Sequence, residues 1–230
     1  MSKAYIFLSI YARYLYHKKN LRRAGITKRL NSFMENNYPG YNPVDWSPYI
    51  EKCTTAAKKY ALCECKGVWV TENELGTIRN INNKVLERLA FTLICLAKFG
   101  NYRNSDNNNW VSYKNSDIYS MACINTTAFE KDIKFNKLKE LGLIEYAKKI
   151  NNLSVKVLYI DEGSRKKLFI NDFRKLGYEW RLYNGEKYIR CENCKVLTKN
   201  TNGKRKYCKD CGDNVNKKKT RERMKKRREN

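Results

Sequence analysis

The sequence predicts a mainly α-helical protein with small β elements. Three observations carry this expectation. Apolar residues recur at helical spacing over much of the chain, strand-like runs are short, and two Cys-x-x-Cys pairs stand near the C-terminal end. Residues 3–18 place Ile6, Ile10 and Tyr14 four apart, on one face of a helix. Thr27 can cap a second helix reaching about Glu35, and a loop with Pro39-Gly40 and Asn42-Pro43 follows. Ser47-Pro48 then reads as a helix start, with Ser as the cap and Pro at the first helical position. Ile50, Cys53, Ala57, Tyr60 and Ala61 supply that helix with an apolar face. Together these form an N-terminal helical region, residues 1–66.

The middle of the chain alternates differently. Val68-Trp69-Val70 reads as a strand, and Thr71 with Glu74 as a capping box opening a short helix that ends at Ile81-Asn82-Asn83. Residues 84–99 carry a wide stripe of Leu86, Leu89, Ala90, Leu93, Ile94 and Ala97, which marks a central helix stopping at Gly100. After a polar loop come a strand at 110–112, a helix at 116–122 and a turn through Cys123-Ile124-Asn125. A longer helix follows at 127–141. Thr127 and Glu130 box its start, and Gly142 fits the left-handed residue that ends it. Strands at 143–146 and 154–160 flank a turn at Asn151-Asn152.

Helix, strand, helix, turn, helix, strand, turn, strand is the order of the winged helix-turn-helix. The run Leu138-Lys139-Glu140-Leu141-Gly142-Leu143-Ile144 resembles the junction of recognition helix and wing in many bacterial regulators. The resemblance covers residues 84–160 and assigns 67–160 to a winged-helix-like domain. It implies that helix 127–141 enters the major groove and that 148–156 approaches phosphates. Lys137, Lys148, Lys149 and Lys156 are then the candidate contacts. The outer face of that helix nevertheless carries Phe129, Ile133, Glu130 and Glu140 beside Lys137. A base-reading face usually shows Arg, Lys, Asn or Gln. Phe129 and Ile133 are therefore expected to pack, on the N-terminal helices or on a partner protein.

Residues 161–187 are expected to connect this domain to the next through a strand and a hairpin turn at Asn184-Gly185. Residues 188–230 hold the most specific motif: Cys191-Glu192-Asn193-Cys194, thirteen residues, then Cys208-Lys209-Asp210-Cys211. Each Cys-x-x-Cys turn can put two sulfurs on one ion, and two such turns fill a tetrahedral zinc site with no open position. Cys191, Cys194, Cys208 and Cys211 are thus the expected ligands of a structural zinc. A strand at 187–190, a hairpin turn at Asn202-Gly203 and a helix from Asp213 to Arg228 surround them, an arrangement that resembles the treble-clef zinc fold. The last helix has basic side chains on every face: Lys217, Lys218, Lys219, Arg221, Arg223, Lys225, Lys226, Arg227 and Arg228. With Lys204 and Arg205 between the cysteine pairs, these are the expected phosphate contacts. Of the other cysteines, Cys95 and Cys123 fit core positions, and Cys53, Cys63 and Cys65 lack a fourth ligand.

Charge agrees with this division. The net charge of the 230 residues is +25. Residues 1–66 carry +8, residues 67–187 carry +6 and residues 188–230 carry +11. A solubilising surface needs a net charge of only about 2–8 on a small domain. The expected partner is nucleic acid, DNA before RNA, with an anionic membrane surface as the weaker candidate. The early apolar stretch, residues 4–10, is too short to span a bilayer and no signal peptide is read. The single histidine, His17, lies in a basic run and is expected to be exposed, which argues against chemistry that needs a histidine placed by the fold as ligand or base, so no enzyme is expected.

The chain contains 32 Lys, 27 Asn and 17 Tyr, residues of AT-rich codons. That composition points to a low-GC bacterium or its phage, and to a reducing bacterial cytoplasm. Arg88-Leu89-Ala90-Phe91-Thr92, Asn109-Trp110-Val111, residues 141–144, residues 172–179 and the cysteine pairs together resemble phage- and prophage-associated proteins of low-GC Gram-positive bacteria. The resemblance implies a context, not an activity. The expected function is non-catalytic nucleic-acid binding in phage or prophage replication or gene control. The rival is an adaptor that binds a host or phage protein through the apolar face of helix 127–141.

Overall fold

The computed structural model describes residues 3–59, 62, 64–148, 154–200, 203 and 205–229, with the backbone alone at 226, 228 and 229. Among these residues the fold is mainly helical, with three small antiparallel sheets. The chain divides into two compact units, Met1–Glu64 and Cys65–Asn230.

The first unit is three helices, α1 (Lys3–Lys19), α2 (Arg23–Asn37) and α3 (Pro43–Lys59). Its core is Leu8, Ala12 and Leu15 against Ile26, Leu30, Met34, Ile50, Cys53 and Ala57. The apolar stripe read on one face of α1 lies outside the core of this unit: Ile6, Ile10 and Tyr14 are exposed. Helix α1 carries two apolar stripes, and the one containing Ala12 lets neighbouring backbones come closer. Helix α2 starts before Thr27, because Ile26 belongs to the core. The Thr27 hydroxyl faces that of Thr54 on α3 instead of capping. Helix α3 also starts earlier than Ser47-Pro48. Asn42 accepts the Val44 N–H at 3.0 Å, and Pro43 is the first helical residue, leaving Pro48 one turn further in. Tyr60, Ala61 and Cys63 lie outside the described residues.

The second unit is built around α5 (Lys84–Arg103), whose residues from Leu89 to Ala97 are all buried. It runs past Gly100, the expected stop, to Arg103. Asn83 caps its start by accepting two backbone N–H groups. Strand β1 (Val68–Thr71) leads into α4 (Glu72–Arg79). There the fully buried Glu74 carboxylate accepts the N–H groups of Thr71 and Asp161 and the Lys98 ammonium, at 2.7–2.8 Å. These partners supply what a buried charge needs.

After α5 come β2 (Trp110–Val111), α6 (Asn115–Met121), α7 (Ala128–Glu140), β3 (Ile144–Tyr146) and β4 (Val155–Val157). The three strands form one sheet in the order β2-β4-β3. Between α6 and α7, Cys123 takes a left-handed conformation and its carbonyl accepts Arg88 from α5 at 2.7 Å. Thr127 and Glu130 box the start of α7 as expected. At its end Gly142 has φ +69°, and Gly142 and Leu143 donate to Lys139 and Leu138, a complete Schellman cap. Phe135 and Leu138 face the core. Asn151 and Asn152 lie outside the described residues.

Residues 161–187, expected to be a connector, belong to the core of this unit. Strand β5 (Lys166–Ile170) pairs antiparallel with β1, almost a hundred residues earlier. Helix α8 (Leu176–Tyr183) buries Leu176 and Trp180 beside α5, with the Trp180 ring 5.3 Å from Phe91. Asn184-Gly185 ends this helix and is not a hairpin turn. Gly177 is required by close approach: a Cβ there would lie 1.9 Å from the Ala122 carbonyl oxygen. The unit ends with a hairpin of β6 (Tyr188–Arg190) and β7 (Leu197–Lys199), then α9 (Lys209–Glu229).

Candidate functional site

The first cysteine pair is the turn of the β6–β7 hairpin, so the knuckle lies inside the hairpin and not after it. Cys191 closes β6, and its N–H donates to Val196 O. Its carbonyl accepts Lys195 N at 2.9 Å, and Lys195 takes φ +62°. The second pair straddles the start of α9. Helix α9 begins at Lys209, four residues before the expected start, so Cys211 lies in its first turn. Gly212 N donates to Cys208 O, and Glu192 N to Lys206 O ties the two knuckles together.

These turns bring together the four expected ligands, Cys191, Cys194, Cys208 and Cys211, with all sulfurs within 4.8 Å of one another. Cys194 Sγ and Cys208 Sγ are 3.7 Å apart. A tetrahedron of thiolates about 2.3 Å from a zinc ion has edges of about 3.8 Å. The cluster could therefore hold a metal ion, and its size is compatible with zinc. It is the only such group among the described residues.

The thiols are electrostatically unequal. Cys191 and Cys211 are buried by accessible area. Burial alone would raise Cys191, but backbone N–H groups at Cys194, Cys208 and Asn193 outweigh it and hold its pKa down to about 6. The Asn193 amide donates to Cys211 Sγ at 3.4 Å and favours the thiolate there. The neighbouring thiols Cys208, Cys194 and Cys191 prevail and push Cys211 up to about 12. A cation inside the cluster would remove that repulsion and displace the proton.

The module is fastened to α8 and to the turn before it by residues that the sequence reading did not single out as site residues. Arg174 pairs with Asp172 at 2.7 Å and donates to Cys194 O at 2.9 Å. That pair holds the Asp172 carboxyl below its ordinary range. Arg190 donates to both oxygens of the buried Glu179, at 2.8 and 3.1 Å. Burial raises the Glu179 carboxyl, and Arg190 works against the shift. The signal available in sequence was the run of residues 172–179, which lacks periodicity but carries a charge at 172, 174, 175 and 179.

The expected nucleic-acid contacts sort into three groups. On α9, Lys217, Lys218, Lys219, Arg221, Arg223, Lys225 and Arg227 are exposed. Lys226 and Arg228 lie on the same helix, with side chains outside the description. Lys137 on α7 and Lys148 after β3 are exposed, and Lys156 is half-buried on β4 opposite Glu145. Lys149 and Lys204 are outside the described residues. Arg205 is spent within the module, donating to Tyr207 O and Lys199 O.

Phe129 is 76% exposed and Ile133 37% exposed. Within their own unit they do not pack, because α7 seats its Phe135 and Leu138 edge in the core and turns this edge away. No helix among the described residues is long and apolar enough to cross a membrane. Comparisons with protein-family models, curated proteins and solved structures find no match.

Proposed function

We propose that this is a non-catalytic nucleic-acid-binding protein, of DNA before RNA, acting in phage or prophage replication or gene control inside a bacterial cell. The observation that carries the reading is α9. Eight described basic side chains project from one helix whose first turn belongs to the cysteine cluster. In this reading Cys191, Cys194, Cys208 and Cys211 hold a structural zinc. The ion supplies cross-linking and no open coordination position, so it orders the base of α9. The helix then lies along phosphates, where each contact releases a condensed counterion.

The winged helix-turn-helix remains the reading for the middle of the chain. It is supported by the order α5, β2, α6, α7, β3, β4 and by a β2-β4-β3 sheet beside α7. In that reading Lys137 faces the groove, and Lys148 and Lys156 lie on the wing side. A second reading draws on the open edge of α7. An exposed Phe129 next to Ile133 suits an apolar partner better than phosphate, and makes the chain an adaptor for a host or phage protein.

A shift assay of the full chain against double-stranded DNA, single-stranded DNA and RNA at increasing salt tests the proposal. Binding that weakens steeply with salt supports it. Absence of binding to all three at low salt contradicts it, and salt-insensitive binding to a protein favours the adaptor.

A further inference from the structure

The two-stranded sheet β1–β5 has an outer face of unexpected composition. Half-buried antiparallel strands usually turn polar residues outward. Here Val68, Val70 and Ile170 enter the core, while Trp69 and Phe169, directly paired across the strands, face out. They are 43% and 39% exposed, with ring centroids 5.0 Å apart and planes tilted by 47°. Gly67 makes room for this pair: a Cβ there would lie 2.6 Å from Phe169 Cζ.

The Trp69 ring borders a hollow of about 470 Å³, lined also by Lys98, Asn101, Tyr102 and Lys166 among others. That volume falls in the range of about 300–1,000 Å³ that accepts small ligands. Tyr102, from the end of α5, is 57% exposed. Lys66, Arg165, Lys166 and Lys167 are exposed on the strands and their approaches. Glu74 pairs with Lys98 at 2.7 Å, and three further acids lie nearby: Glu162 lines the hollow, Asp161 accepts the Thr71 hydroxyl at its carbonyl, and Glu72 pairs with Lys167 at 3.3 Å, against the four exposed cations. Cations therefore outnumber acids around three accessible aromatic rings.

We infer that this face is a stacking platform for single-stranded nucleic acid, an inference that rests on the nucleic-acid reading above and adds a strand preference to it. Unpaired bases present flat π-faces that stack on aromatic side chains, and surrounding cations follow the backbone. A duplex keeps those faces inside its own stack, so it offers the platform only phosphates. An apolar protein segment would use the rings and leave the cations without a role.

The test measures the affinity of the full chain for a labelled oligothymidylate and for a duplex of equal length. Trp69→Ala and Phe169→Ala should each weaken single-strand binding by roughly 5- to 150-fold. Duplex affinity should not change, and Trp69→Phe should retain most single-strand binding. Tyr102→Ala lies outside the sheet and should show the same selective loss even if a strand variant fails to fold. Unchanged single-strand affinity in Tyr102→Ala and in folded Trp69→Ala overturns the platform while leaving the nucleic-acid reading intact, whether the face then serves a protein or nothing. Equal losses on both oligonucleotides also overturn it. Failure of the unaltered chain to bind either one at low salt removes the platform, and failure to bind RNA as well removes the nucleic-acid reading itself.

Discussion

Cys191 and Cys211 occupy one cluster yet hold their protons very differently, at about 6 and about 12. The difference predicts how the cluster takes up a metal. Binding should release protons, and affinity should fall as the buffer becomes acidic. Elemental analysis of fresh protein should give one zinc per chain. Cys191→Ser or Cys208→Ser should lose it and unfold the β6–β7 hairpin with the base of α9. Metal-free protein with that hairpin intact would contradict the assignment. Tyr119 and Tyr159 supply a separate residue-scale test. The Tyr119 hydroxyl donates to Lys131 O and that of Tyr159 to Ala90 O. Burial raises both phenols above their ordinary value. A raised folded-state pKa means that their contribution is full below about pH 10 and is lost as pH climbs through the folded values. Thermal melting should therefore weaken on the alkaline side. The double variant Tyr119→Phe and Tyr159→Phe should cost about 0.5–1.5 kcal/mol per hydrogen bond at neutral pH and flatten that alkaline fall. An unchanged alkaline limb would contradict the account.

Helix α7 shows which elements were legible in the sequence. Thr127, Glu130 and Gly142 sit where side-chain and backbone chemistry leave few alternatives, and its ends agree with expectation. The cysteine spacing was legible for the same reason, since local turns fix two sulfurs each. The apolar face of α1 was not, because Ile6 and Ile10 match a helical period as well as Leu8 and Ala12 do. The pairing of β1 with β5 and the packing of α8 on α5 depend on contacts between distant segments, which local periodicity does not encode. Gly177 illustrates the point: its need arises only where α8 meets the end of α6. Gly177→Ala should cost about 1–3 kcal/mol by overpacking, measurable by urea denaturation, and a neutral effect would place α8 differently. Phe129→Ala should change stability by less than about 0.5 kcal/mol, as exposed sites do. A loss of several kcal/mol would show that this edge is covered. Lys137→Ala should weaken DNA discrimination by ~1–3 kcal/mol if α7 reads bases, and leave it unchanged if α7 binds a protein.

At the scale of the whole molecule, charge and structure divide the labour. The stretch 67–187 is nearly balanced at +6, whereas the last 43 residues carry +11, most of it on a helix that buries almost nothing. Such a helix gains little from packing, so phosphate contact is what would order its length. The cysteine cluster lies before residue 213, so removing residues 213–230 leaves all four ligands in place. The salt dependence of duplex binding, compared between the full chain and this truncation, tests the central claim most directly. Each phosphate contact contributes a slope of about −0.9 in log K against log salt. The account predicts weaker binding at every salt concentration and a slope flatter by several units in the truncated chain. Equal affinity and equal slope in the two chains would contradict it.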